Sequence, residues 1–235
     1  MPSMKPVVIL RHAANEGPGY LADFLIARDI LYKIVQIDGG EAVPTDPESA
    51  SAWVFMGGPM SVNDDLPWIP QSIQLIQKAI SQDMPVLGFC LGGQLIAKAL
   101  GATITRNPVP EFGWLPVEVC HRPEAGGWLQ GVAPSFEAFH WHGETFSLPD
   151  GATRILTSAH CQNQGFVYGK ALALQCHIEM TEALVDDWIT HNTDRPAPSD
   201  SVQSTEAMRK RLPQRLQAMQ RQADHLFEHW LGLIA

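Results

Sequence analysis

The chain has 235 residues, 45% of them hydrophobic and 17% charged, which is enough apolar material for one large domain and too much for a disordered chain. Its 25 acidic and 16 basic residues leave a formal net charge of −9, which argues against nucleic-acid and anionic-membrane partners, since both need a basic surface. No apolar run approaches a membrane span, the opening MPSMKPVVILRH lacks a signal-peptide core, and Cys90, Cys120, Cys161 and Cys176 have no CxxC spacing, so free thiols in a reducing cytoplasm are expected.

The elements follow an alternating rhythm. VVIL (7–10) is a short apolar run of the kind buried on both faces of a sheet, and a helical pattern follows over 19–28. YKIVQI (32–37) and AWVFM (52–56) are the next strands. Apolar residues at 69, 73, 76 and 80 have helical spacing. PVLGF (85–89) is a fourth strand, and GGQLIAKALG a helix that Gly101 closes. Strand and helix in alternation predict a parallel sheet with helices on both faces, whose ligands collect beyond the carboxyl ends of the strands. The second half is richer in strands: 113–119, 136–140, 153–158, 165–169 and 171–176, then a helix over 182–190. HNTDRPAPSDSVQS (191–204) is polar and proline-bearing and reads as a surface linker. From Gln214 onward Leu216, Met219, Ala223, Leu226 and Trp230 share one helix face, suited to packing on the chain's own domain or on a second copy. The expected organisation is a domain over 1–190 and a linker with an amphipathic helix over 191–235.

GFCLGGQ (88–94) places Cys90 between a buried strand and a helix, with Gly88 and Gly92 two residues to either side. A side chain at so tight a corner is held strained and presented to solvent, and small neighbours at ±2 relieve clashes. The helix would aim its positive end at the sulfur and favour thiolate, and the Leu91 N–H would be available to an oxyanion. A bland alternative is a small buried cysteine in a turn. A thiolate nucleophile needs a base and an orienting group. ALALQCHIE (171–179) offers both: His177 at the end of an apolar strand, and Glu179 two residues on. In FMGGPMS (55–61), Gly57 and Gly58 follow another buried strand and allow close backbone approach to a ligand.

GGPMS, GFCLGGQ and CHIE, in this order, resemble the class I (triad-type) glutamine amidotransferases, in particular the glutaminase domain of GMP synthase and its stand-alone relatives. EFGW (111–114), FHWHGETFSLPDGA (139–152) and SAHCQNQGF (158–166) are similar to further segments of that family. The resemblance spans about residues 7–190. It implies a flavodoxin-like α/β fold, Cys90 as nucleophile, His177 as base and Glu179 as its orienting group. It implies Gly58 and Leu91 as oxyanion donors, and Gly57, Gln94, Trp141 and His142 beside the substrate. Ile178 stands where the family usually has proline, with the His-x-Glu spacing kept. No Walker-type loop and no room for a synthase domain are present, so the acceptor half of an amidotransferase is not expected within these residues.

The activity implied is cleavage of a γ-glutamyl amide through a γ-glutamyl thioester, glutamine to glutamate and ammonia, with no cofactor. A γ-glutamyl peptidase using the same residues is an alternative; the substrate is a small γ-glutamyl compound in either case, and a synthase partner or a homodimer is compatible with both. A metal hydrolase built on His140-x-His142, His160-Cys161 and Cys176-His177 competes weakly, because no HExxH occurs. A non-catalytic binding module has no need of Cys, His and Glu together. No metal is expected.

Overall fold

The computed structural model describes residues 5–120, 122–191 and 194–234. Nine strands form one sheet: β1 (Val7–Arg11), β2 (Tyr32–Gln36), β3 (Ala52–Phe55), β4 (Val86–Phe89), β5 (Ile104–Val119), β6 (Ser135–Phe146), β7 (Thr153–Ser158), β8 (Gly165–Tyr168) and β9 (Ala171–Leu174). Their spatial order is β2-β1-β3-β4-β9-β8-β7-β5-β6. The first five in that order pair parallel and have the flavodoxin-like arrangement. From β9 outward the pairing is antiparallel. The sheet is therefore mixed, with the sequence-predicted parallel layer as one half.

Side-chain alternation feeds two cores. Val7 and Ile9 of β1, Ala52 and Val54 of β3, and Leu172 and Leu174 of β9 face one side. Val8 and Leu10, Trp53 and Phe55, and Ala171 and Ala173 face the other. This is the period of two that a strand imposes. Helices α2 (Trp68–Ser81) and α3 (Leu91–Ala99) cover the second face. The first is covered by α1 (Gly19–Ile26), α4 (Glu182–His191) and α6 (Leu212–Leu231), with α5 (Thr205–Arg209) leading into α6. All five apolar residues of the expected terminal stripe, Leu216, Met219, Ala223, Leu226 and Trp230, lie in that core. Trp230 is fully buried.

Two sequence expectations change. The strands expected over 113–119 and 136–140 are parts of the longer hairpin β5–β6, whose register shifts between Arg106 and Glu111. Pro108 and Pro110 fall in that interval, and neither has an N–H to offer a ladder. The segment 191–204 is not simply a surface linker. Within its described part, Ser201 and Val202 are buried. Phe112 N–H donates to Ser201 O (2.9 Å) and Gln203 N–H to Phe112 O (2.9 Å). The Gln203 amide completes the pairing on the backbone N–H and C=O of Trp114, at 3.0 and 2.7 Å. A side-chain amide carries the same donor and acceptor as a peptide group, so Gln203 stands in for a strand residue. Asn192 and Thr193, also within the expected linker, lie outside the described residues.

Candidate active site

The carboxyl ends of β1, β3, β4 and β9 converge on one edge of the sheet. Cys90 is the first residue past β4 and the N-cap of α3, with φ 49° and ψ −106°. A non-glycine residue there costs on the order of 1–3 kcal/mol and persists only where its surroundings impose it. The imposing bonds are Cys90 N–H to Leu174 O (2.8 Å) and Gln94 N–H to Cys90 O (2.9 Å). The flanking glycines have a packing reason. A Cβ on Gly92 would fall on the Phe55 carbonyl, and one on Gly88 would stand 2.5 Å from the Gly92 backbone. The corner is pressed against β3, so neither position has room for a side chain.

His177 lies just beyond β9 and is clamped to β6: its N–H donates to Phe139 O (2.8 Å), and Phe139 N–H donates back (3.2 Å). Its Nδ1 pairs with Glu179 Oε1 at 2.7 Å, with both side chains buried. Trp188 packs edge-on against the ring at a centroid distance of 4.8 Å. The start of α1 holds Glu179, whose backbone carbonyl accepts from Tyr20 N–H at 2.8 Å. Burial by itself would push the His177 ring down, but the Glu179 charge, hydrogen bonding with Cys90 and the Glu179 bond outweigh it, and the ring is held well above its ordinary value. The ring and the carboxylate are thus in direct contact, and Cys90 is among the groups that raise the ring.

A cavity of about 540 Å³ opens over the thiol. Gly58, Cys90, Gln94, Trp141 and His142 line it, joined by Arg195 from the terminal segment. The Cys90 sulfur lies 4.0 Å from Trp141 O and 3.5 Å from Gln175 Nε2. Gln94 is tied down by its own bond to Gln175 Oε1 (3.1 Å). Leu91, the first residue of α3, is buried. Gly57 does not line the cavity. A Cβ there would run into Glu16 Oε2 and stand 3.3 Å from His177 Cε1. A second cavity, about 600 Å³, lies at the opposite edge among Lys5, Leu31, Met84 and Leu233, and no cysteine or histidine lines it. Of these two cavities, the one over the thiol has a cysteine and histidines in its lining.

Several polar residues at the site were not singled out from the sequence. Glu16, in the loop after β1, sits against the same glycine face as His177. Burial first of all, and then the Glu179 charge, push its carboxyl up to about 7, although His177 pulls it down. The available signal was an acidic residue at the carboxyl end of a parallel strand. His12 in the same loop is buried and bonded to Met56 O at 2.9 Å; burial pushes it down to about 4. Behind the cavity wall, Glu111, His140 and His142 bring three ligand-type atoms within 4.8 Å of one another. Two histidines and a carboxylate are cation ligands by type, but hydrogen-bond donors meet this carboxylate. Ser158 Oγ (2.7 Å), Gln164 Nε2 (2.5 Å) and His142 Nε2 (3.0 Å) already occupy the Glu111 oxygens. Gln164 Nε2 also lies 3.5 Å from His142 Nε2.

Comparison with known proteins shows the family of the chain. The family model described as glutamine amidotransferase class-I matches residues 20–193, and the chain belongs to that family. A glutamine amidotransferase structure from Methylobacillus flagellatus superposes with a TM-score of 0.95 at 38% identity, covering 99% of this chain and 96% of that one. One from Thermotoga maritima gives 0.86 at 30% identity, covering 96% and 97%. Among curated relatives, the glutamine amidotransferase-like protein YfeJ of Salmonella typhimurium is 28% identical over 77% of this chain and 78% of its own length. A glutamine-hydrolysing GMP synthase subunit of Sulfolobus acidocaldarius is 32% identical over 57% of this chain and 70% of its own. No helix among the described residues is long and apolar enough to cross a membrane.

Proposed function

We propose that the chain hydrolyses a γ-glutamyl amide with Cys90 as nucleophile, His177 as acid and base, and Glu179 as the group that orients His177. The observation that carries this reading is the strained Cys90 corner facing the buried His177–Glu179 pair on the ligand-collecting edge of the sheet. The Cys90 sulfur attacks the γ-carbonyl carbon. The oxyanion is met by backbone N–H groups of Gly58 and Leu91, each such donor being worth about 3 kcal/mol. The tetrahedral species expels the amine, which takes a proton from His177. Water then gives a proton to His177 and attacks the thioester carbonyl, releasing glutamate and the thiol. With glutamine the amine is ammonia.

A γ-glutamyl peptide is the second reading. Asp194 and Arg195 extend the cavity lining beyond Gln94 and Cys90, further than a departing ammonia requires. The relatives that are GMP synthase subunits point toward a synthase partner, whereas α6 of this chain packs into its own core. We therefore expect the purified chain to release glutamate from at least one member of a γ-glutamyl panel (glutamine, glutathione, γ-glutamyl dipeptides) without ATP or a second protein. Silence on the whole panel, relieved by a co-purifying protein, overturns the self-contained reading. Deleting residues from Ser204 onward is expected to destabilise the fold severely, since each buried Leu, Met or Trp contributes about 2 kcal/mol. An unchanged melting temperature would show that α6 serves another surface.

A further inference from the structure

Three of the sequence segments singled out above have no part in the Cys–His–Glu chemistry: EFGW, FHWHGETFSLPDGA and SAHCQNQGF. The fold brings a polar side chain from each to one place. Glu111 comes from the first, His140 and His142 from the second, Ser158 and Gln164 from the third. Glu111, His140, His142 and Gln164 are all buried. We propose that Glu111 is a positioning residue for the Cys90 pocket: it grips His142 and so fixes the main chain of residues 141–143, the wall that meets the γ-glutamyl group. The proposal rests on the function assigned above.

The need for a grip follows from the sheet. The β5–β6 register is lost between Arg106 and Glu111 and resumes with the pair Glu111↔His142. The wall residues therefore sit at the mouth of an irregular stretch, where ladder bonds hold them on one side alone. Trp141 O is 4.0 Å from the Cys90 sulfur, so displacement of this strand is displacement of the pocket. His142 is pinned at both ring nitrogens: Nδ1 lies 2.9 Å from Glu144 O and Nε2 3.0 Å from Glu111 Oε2. An oxygen thus stands at each end of the ring, and the two contacts together fix its orientation. Burial by itself would push the Glu111 carboxyl up. Hydrogen bonds from His142 and from the Ser158 hydroxyl act against that, and the group is held below its ordinary value. His140, 3.9 Å from the same carboxylate, is pushed by burial down to about 3 and stays neutral. The His142 side chain is itself almost inaccessible, so it acts through the backbone it anchors rather than by touching substrate.

The test is Glu111→Gln, which keeps size and shape and puts an amide where the carboxylate met His142. The expected result is a KM for the γ-glutamyl substrate raised at least about tenfold, with kcat within about threefold of wild type. Alkylation of Cys90 by iodoacetamide, which needs no wall, should stay within about twofold. An unchanged KM, or a fall in kcat alone, overturns the proposal, because a merely structural loss lowers the fraction of active molecules and leaves KM where it was. If Glu111→Gln does not fold, His142→Asn is read for the same split. A measurement independent of turnover separates this proposal from the assigned function. Backbone amide NMR shifts in Glu111→Gln should move at Trp141, His142 and Gly143, and no movement there overturns the grip even if no substrate is ever found. One equivalent of a transition metal in the purified protein also overturns it, since an ion would then hold the ring.

Discussion

Two buried histidine–glutamate pairs stand behind Cys90, and on paper they look alike. His177–Glu179 is separated by 2.7 Å and His142–Glu111 by 3.0 Å, and all four side chains are nearly inaccessible. They differ in their third partner. For His177, the Cys90 thiol, a group able to exchange a proton, is among the groups that raise the ring. In His142 the other ring nitrogen meets the Glu144 carbonyl, which has none to give. In the roles proposed above, one carboxylate-bound imidazole moves a proton and the other is a brace, and the third partner decides which. The two pairs also come from different halves of the sheet: His177 follows the parallel strand β9, and His142 lies on the antiparallel hairpin.

The comparison breaks most sharply at the sulfur. Cys90→Ala is expected to lower turnover by at least about 10⁴-fold and His177→Ala by about 10³-fold or more, with folding retained in the first because the corner already accommodates a Cβ. Circular dichroism with steady-state glutamate release checks both, and wild-type turnover in either variant removes that residue from the chemistry.

The two carboxylates sharpen it further. Glu179→Gln should reduce kcat about 10²-fold with little change in KM, the mirror image of the KM effect expected at Glu111→Gln. Identical signatures in the two variants would erase the distinction between proton carrier and brace.

A smaller effect separates the thiols. Burial pushes Cys161 up to about 11 and Cys176 well above its ordinary value. In native protein near pH 7, iodoacetamide should label Cys90 at least about tenfold faster than either. Peptide mapping that finds Cys161 or Cys176 modified first would contradict the assignment of Cys90 as the reactive group.

The smallest effect concerns Glu16, the extra carboxyl beside His177. Its folded value, about 7, lies above its ordinary 4.5, so the fold favours the neutral acid. Its contribution to stability is complete below about pH 4.5 and is lost as pH rises through about 7. Glu16→Gln should therefore melt about 2–4 °C above wild type at pH 8 and with it at pH 4. Equal melting at both pH values would show that the carboxyl is well solvated in the native protein.

Legibility from sequence followed range. Cys90 was readable because its evidence is local: a buried strand, a cysteine and two glycines within seven residues. The terminal helix was readable from its own periodicity, and the structure buries the whole stripe. Glu111 stands out in the sequence only as part of a familiar segment. Its partners lie 31 residues on at His142, 47 at Ser158 and 53 at Gln164, and no local pattern links them. Gly57 reads as a ligand-approach glycine like Gly58. In the fold, a Cβ on Gly57 would meet Glu16 and His177 and one on Gly58 would meet Leu91, and only Gly58 lines the cavity.

By itself the sequence determined the alternating α/β layer, the corner at Cys90, the order of its motifs and the face that α6 buries. Each of these is written in the spacing of neighbours along one element, where propensity and amphipathicity act. The tertiary structure alone decided that half the sheet runs antiparallel, that Gln203 completes an edge of β5, that Glu16 crowds His177, and which histidine–glutamate pair reaches the sulfur. These depend on strand register and on which loops meet at a sheet edge. A one-residue slip of β6 would turn His142 to the opposite face without altering a single local preference.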